Sequence, residues 1–112
     1  MTAQATVTQL LDLRDDFANK IAVLRVTPFG DGYRGTIDLA TTPPGVRRLF
    51  ERFEENVEGQ LFTLADEVEA EIAALRLRVA LPSGASAYVE NLQVYPTTGK
   101  VSFTLRDRVG PA

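Results

Sequence analysis

The sequence predicts an α+β domain in which an antiparallel sheet of four to five strands, ordered ββαβββ, is covered on one face by a single long amphipathic helix. Three observations predict it. Between Pro43 and Leu75 apolar residues recur at helical spacing. On either side of that stretch, short segments alternate apolar and polar residues with the period of a strand. Clusters of glycine and proline separate those segments at hairpin distances.

The N-terminal segment supports two readings. Val7, Leu10, Leu11, Phe17, Ala18 and Ile21 suit a helix, whereas Val7, Leu11 and Leu13 with polar residues between them suit an edge strand. The helix is the preferred reading, with the segment packed at the sheet edge. Ile21 to Thr27 is rich in β-branched and aliphatic residues. Tyr33, Ile37 and Leu39 then oppose Arg34, Thr36 and Asp38. Pro28 to Gly32 supplies the fixed φ of proline and the positive φ of glycine that a hairpin turn requires.

The helical stretch carries Val46, Leu49, Phe50, Phe53, Val57, Leu61, Leu64, Ala65, Val68, Ile72 and Leu75 within an arc of roughly 160°. Thr42 is the expected N-cap, with Pro43 at the first helical position. The apolar phase continues across Gly59, so the helix is expected to continue with a kink or break possible at the glycine. This stripe is expected to pack on Val23 or Leu24, Ile37, Leu39, Val79, Val101 and Phe103.

Beyond the helix, Leu77, Val79 and Leu81 alternate with polar or small residues, and Pro82 to Gly84 turns the chain. Ala87 to Tyr95 is the next strand. Its apolar parity shifts between Val89 and Leu92, which predicts a β-bulge near Glu90 and Asn91. Pro96 to Lys100 turns again, and Val101, Phe103 and Leu105 form the last strand. The whole chain, 1–112, reads as one domain with a short frayed end after about residue 108.

Composition narrows the chemistry. Cysteine and histidine are absent, which removes thiolate nucleophiles, disulfides, Cys-ligated metals and the commonest general base. Neither a signal peptide nor an apolar run of membrane-spanning length is visible. A cytoplasmic protein without membrane contact is therefore expected. The net charge of -3 hides an asymmetry: Arg47 to Glu71 holds eight acids against three arginines, and the remainder of the chain is slightly basic. Ten of the twelve basic residues are arginine, the better residue for bidentate recognition of carboxylate or phosphate.

Two surfaces stand out. The acids of the helix include Glu54 and Glu58, and Glu67 and Glu71, each pair four residues apart on one face. Their expected place is the outer helix face, with Glu67 and Glu71 near enough to the apolar stripe to pair with Arg76 or Arg78. Arg25, Arg34, Arg76, Arg78 and Arg106 fall at outward strand positions and are expected to share a partly basic sheet face. Nucleic acid is not the expected partner, because that face lacks paired stacking aromatics. Gly30-Asp31-Gly32 has neither dinucleotide nor P-loop spacing. Ser83, Ser86 and Ser102 have no histidine to activate them.

No catalytic, cofactor or metal residues are therefore assigned. The expected function is that of a small intracellular binding or regulatory module acting through protein–protein contact, alone or as a homodimer. Its candidate contact residues are Glu55, Glu58, Asp66, Glu67, Glu71, Arg34, Arg76 and Arg78. The alternative is a small carboxylate-dependent enzyme or ligand-binding domain, which requires a cleft between helix and sheet lined by Glu67 or Glu71 with arginine and tyrosine, the carboxylate there having a raised pKa.

Overall fold

The computed structural model describes residues 8–81 and 84–106. The expectations for Val7, for Pro82 and Ser83, and for the end of the chain after 108 fall outside those residues. The strands are β1 (Gln9–Arg14), β2 (Lys20–Phe29), β3 (Gly32–Asp38), β4 (Arg78–Ala80), β5 (Ser86–Tyr95) and β6 (Lys100–Leu105). Two helices, α1 (Pro44–Glu58) and α2 (Phe62–Ala74), lie between β3 and β4.

The strands close into an antiparallel barrel in the order β1-β2-β3-β6-β5-β4. This corrects the expected open sheet beneath one long helix. Closure depends on β1, whose Leu11 and Leu13 point inward while Asp12 and Arg14 are part-exposed. Leu11 pairs with Leu24 and Leu13 with Ala22, and β1 also pairs with β4 over Asp12 to Arg14 and Arg78 to Ala80. Closing the ring removes the exposed strand edges that an open sheet leaves. The preferred helical reading of this segment fails because Phe17 stands in solvent, beyond the strand, and contributes nothing to the core.

The barrel interior is filled by Leu11, Leu13, Ala22, Leu24, Val26, Ile37, Val79, Val94, Val101 and Phe103, all buried. Burying each large apolar side chain contributes roughly 1.5–3 kcal/mol. Tyr33 stacks on Phe103 at 5.4 Å between ring centroids. β3 can bend into this small ring because of two glycines. A Cβ at Gly35 would collide with the Arg25 carbonyl, and one at Gly32 with the Phe103 carbonyl.

The hairpin β2–β3 forms at the expected place, with Gly30 at φ 59° in a two-residue turn. The expected bulge is also present. The β5–β6 register shifts between Glu90 and Gln93, and Asn91 takes φ 55°.

The long helix is broken. A continuous helix over 43–75 would be about 50 Å long, more than the largest molecular extent of 44 Å. Instead α1 ends at Gly59 and the chain reverses. Gln60 takes the left-handed φ of 60°, its N–H donates to the Val57 carbonyl, and the Leu61 N–H donates to the Asn56 carbonyl at 2.7 Å. That is a Schellman ending built on a non-glycine residue. α2 ends similarly, with Arg76 at φ 53° and its N–H on the Ala73 carbonyl. At the other end, α1 is capped by Pro43 with Pro44 following. Thr42 is not the cap, because its buried hydroxyl donates to the Ile21 carbonyl at 2.9 Å.

The two helices form a hairpin that leaves and rejoins the barrel at one end, where β3 finishes and β4 begins. The helices pack on each other and on β5. Phe50 and Phe53 from α1, with Ala65, Val68 and Ile72 from α2, join the barrel residues in one core. Phe53 tilts against Tyr95 at 5.9 Å.

Candidate functional site

The reversal at Gln60 changes which residues α2 can bury. Ala65, Val68 and Ile72 keep the inward face. Leu61, Phe62 and Leu64, at the hairpin tip, are 50%, 59% and 45% exposed. Leu61 and Leu64 were expected in the core, so this corrects the extent of the apolar stripe. A cluster of large apolar side chains in solvent marks a contact surface more often than isolated ones do.

The tip is also anionic. The chain has no lysine or arginine between Arg52 and Arg76 but seven acids. Glu55 pairs with Arg48 at 3.4 Å and Glu71 with Arg52 at 3.5 Å. No ion pair forms to Glu58, Asp66, Glu67 or Glu69 among the described residues. Glu54 departs from the expected outer face. It is only 6% exposed, and its Oε1 accepts from the Thr97 backbone N–H at 3.2 Å and the Thr97 hydroxyl at 2.9 Å. That carboxylate fastens α1 to the β5–β6 turn.

A cleft of about 600 Å³ opens between α2 and β5. Its apolar lining includes Ile72, Leu77 and Leu92, and its polar lining includes Asp66 and Glu69 from α2 with Tyr88 and Glu90 from β5. Arg76 and Arg106 also line it. Burial, and then the Asp66 charge, pushes the Glu69 carboxyl above its ordinary 4.5. Both arginines are engaged. Arg76 lies 4.9 Å from the Tyr88 ring centroid, donates to the Tyr88 hydroxyl at 3.1 Å and pairs with Asp16 at 3.6 Å. Arg106 pairs with Glu90 at 3.1 Å. Asn91, on the bulge, donates to the Thr104 hydroxyl at 3.2 Å.

The residues singled out from the sequence therefore divide. Glu55, Glu58, Asp66, Glu67 and Glu71 all belong to the hairpin, and Asp66 also reaches the cleft. Glu71 pairs with Arg52 across the hairpin rather than with Arg76 or Arg78. Arg76 lines the cleft. Arg78 lies 6.0 Å from the Tyr88 ring and donates to the Asp16 carbonyl at 3.3 Å. Arg34 is on β3, stacked at 3.8 Å over Phe29. The strand arginines do not share one face, because closure distributes them around the barrel. The carboxylates of the cleft are Asp66, Glu69 and Glu90 rather than the expected Glu67 or Glu71, and Glu69 and Glu90 were not foreseen. The parity shift at Glu90 was the sequence signal that marked this wall of the cleft.

Among the described residues no group of three or more His, Cys, Asp or Glu side chains could hold a metal. None of their helices is long and apolar enough to cross a membrane. Comparison with protein-family models, curated proteins and solved structures finds no match to this chain.

Proposed function

We propose that this protein is an intracellular, non-catalytic binding module that recognises a basic partner protein through the tip of its helical hairpin. The observation that carries it is the exposure of Leu61, Phe62 and Leu64 together, ringed by Glu58, Asp66 and Glu67, which have no basic partners among the described residues. An apolar centre with a charged rim is the usual anatomy of a protein contact. The rim also chooses the partner. A two-fold contact at the tip would set the acids of one copy against those of the next, whereas a basic surface would neutralise them and accelerate encounter. The cysteine-free composition suits a reducing compartment.

Capture from a native lysate tests this with three forms of the full chain. These are wild type, L61S/F62S/L64S, and E58Q/D66N/E67Q, with circular dichroism confirming that all three fold. The expected result is a stoichiometric partner held by wild type, released by salt and lost from both variants. Recovery of the protein alone, or a partner that binds all three forms equally, would overturn it.

The cleft favours a second reading, a small-ligand site for a cation with an apolar body, because Asp66 and Glu69 overlook an apolar lining with no ion pair of their own among the described residues, while Arg76 and Arg106 are taken by Asp16 and Glu90. The sign of the Glu69 shift makes it testable. A carboxyl whose folded pKa is raised carries no penalty below about pH 4, where both states are protonated. The penalty grows as pH rises through 4.5 to the raised folded value and is complete above it. Glu69→Gln is therefore expected to raise the melting temperature at pH 7 and to leave it unchanged at pH 3.5. Equal effects at both pH values would show that Glu69 carries no such strain.

A further inference from the structure

The outer face of β2, β3 and β6 carries the opposite chemistry from the hairpin. Register places Thr27, Arg34, Ser102 and Gln93 in one row across β2, β3, β6 and β5. Arg25, Thr36, Lys100 and Tyr95 form the adjacent row. A groove of about 470 Å³ runs between them, lined by Thr27, Arg34, Thr36, Tyr95, Lys100 and Ser102 together with backbone at Gly35 and Val101. No acid lines it. Among the described residues neither Arg34 nor Lys100 has an ion-pair partner.

The Arg34 guanidinium lies on the Phe29 ring at 3.8 Å. Lys100 is its diagonal neighbour, because Arg34 opposes Ser102 and Lys100 lies two residues before Ser102. Diagonal neighbours on one face are about 7–8 Å apart, and Phe29, opposite Gly32, lies on the other side of Arg34 from Lys100, so the two long basic side chains converge on a single anion once the guanidinium swings off the ring. Hydroxyls stand beside both cations: Thr27 and Ser102 flank Arg34, and Thr36 flanks Lys100. Burial, and then the Glu69 and Glu54 charges, pushes the Tyr95 phenol above its ordinary 10.0, so it keeps its proton at neutral pH. That hydroxyl donates to Gln93 at 3.3 Å.

We propose that this groove binds a phosphate group, free or as a monoester, with Arg34 and Lys100 supplying the charge and Thr27, Thr36 and Ser102 the neutral donors. Two cations with three hydroxyls exceed what a carboxylate can use. They suit an anion with three or more oxygens and about two charges. A long polyanion fits less well. The net charge of the chain is -3, and Tyr95, on one wall, already feels the Glu69 and Glu54 carboxylates.

The test is nuclear magnetic resonance titration of the full chain with inorganic phosphate, glycerol 3-phosphate, glycerol and a single-stranded oligothymidylate. Phosphate and its ester are expected to give saturable shifts at the amides of Arg34, Thr36, Lys100 and Ser102, and glycerol none. Whichever of the two binds more tightly names the source of the group. R34Q and K100Q are each expected to weaken binding at least about tenfold, the loss of one charge-assisted contact, while R48Q on α1 leaves it unchanged. Linear shifts without saturation, shifts spread over the surface, or equal affinity in R34Q and wild type would overturn the proposal. Tighter binding of the oligonucleotide than of glycerol 3-phosphate would also overturn it and assign the groove to a polyanion.

Discussion

In the barrel, Leu11, Leu13, Leu24, Val26, Val101 and Phe103 on the inward rows are all buried, whereas the hairpin leaves Leu61, Phe62 and Leu64 in solvent. The charges divide in the same way. The outer strand rows hold Arg25, Arg34 and Lys100 without acidic partners among the described residues, and the hairpin sequence from Phe53 to Leu75 holds acids and no bases. The inward rows of the barrel thus consume their apolar side chains in the barrel's own stability, with Leu10 and Phe29 left on the outer surface of β1 and β2 at 62% and 56% exposed, and the hairpin gathers three exposed apolar side chains at its tip. Residues of the same chemistry should then matter in different experiments.

The contrast is broken or sharpened by six substitutions followed by urea unfolding. Gly35→Ala is expected to have the largest effect. Its Cβ would meet the Arg25 carbonyl and the Val26 Cα, both backbone, so neither can move aside alone. A loss of about 4–5 kcal/mol or more is expected, close to the whole margin of a small domain. Native stability in that variant would mean that β3 does not bend as described. Phe53→Ala removes the ring that docks α1 on Tyr95 and is expected to cost about 3–5 kcal/mol. A loss under about 1 kcal/mol would show that the hairpin is only loosely attached.

Gln60→Gly acts in the other direction. Glycine adopts the left-handed φ without the Cβ penalty, so a gain of about 0.4–1 kcal/mol is expected. A loss would mean that the Gln60 side chain has a structural role. The smallest effect is expected at the tip. Each of Leu61→Ser, Phe62→Ser and Leu64→Ser should fall within about 0.5 kcal/mol of wild type. A larger cost would place the tip in the core and remove the ground for reading it as a contact surface.

Local patterns were legible in the sequence and long-range pairing was not. The β2–β3 turn at Gly30, the bulge at Asn91 and the inward rows of β5 and β6 each follow from neighbouring residues. The helix break was visible only as an option at Gly59, because the apolar phase carries through it. The residue that makes the turn is Gln60, a type with no preference for positive φ. Closure of the barrel depends on β1 meeting β4, two segments more than sixty residues apart. Nothing in Gln9 to Arg14 distinguishes an edge strand from a closing one. The site was partly legible for the same reason. The acids of the hairpin could be read off one stretch, but the cleft joins α2 to β5, and the basic groove joins β3 to β6.

The seam between β1 and β4 has only three residue pairs, Asp12–Ala80 to Arg14–Arg78, as few as that between β4 and β5. Its loop-closure entropy is among the largest in the chain, so those pairs form after the local hairpins and delay completion of folding. Once formed, so short a zipper is also the first to part. Amide hydrogens of Leu13 and Val79 should exchange with solvent well before those of Leu24 and Ile37, through a brief excursion in which the ring becomes an open sheet.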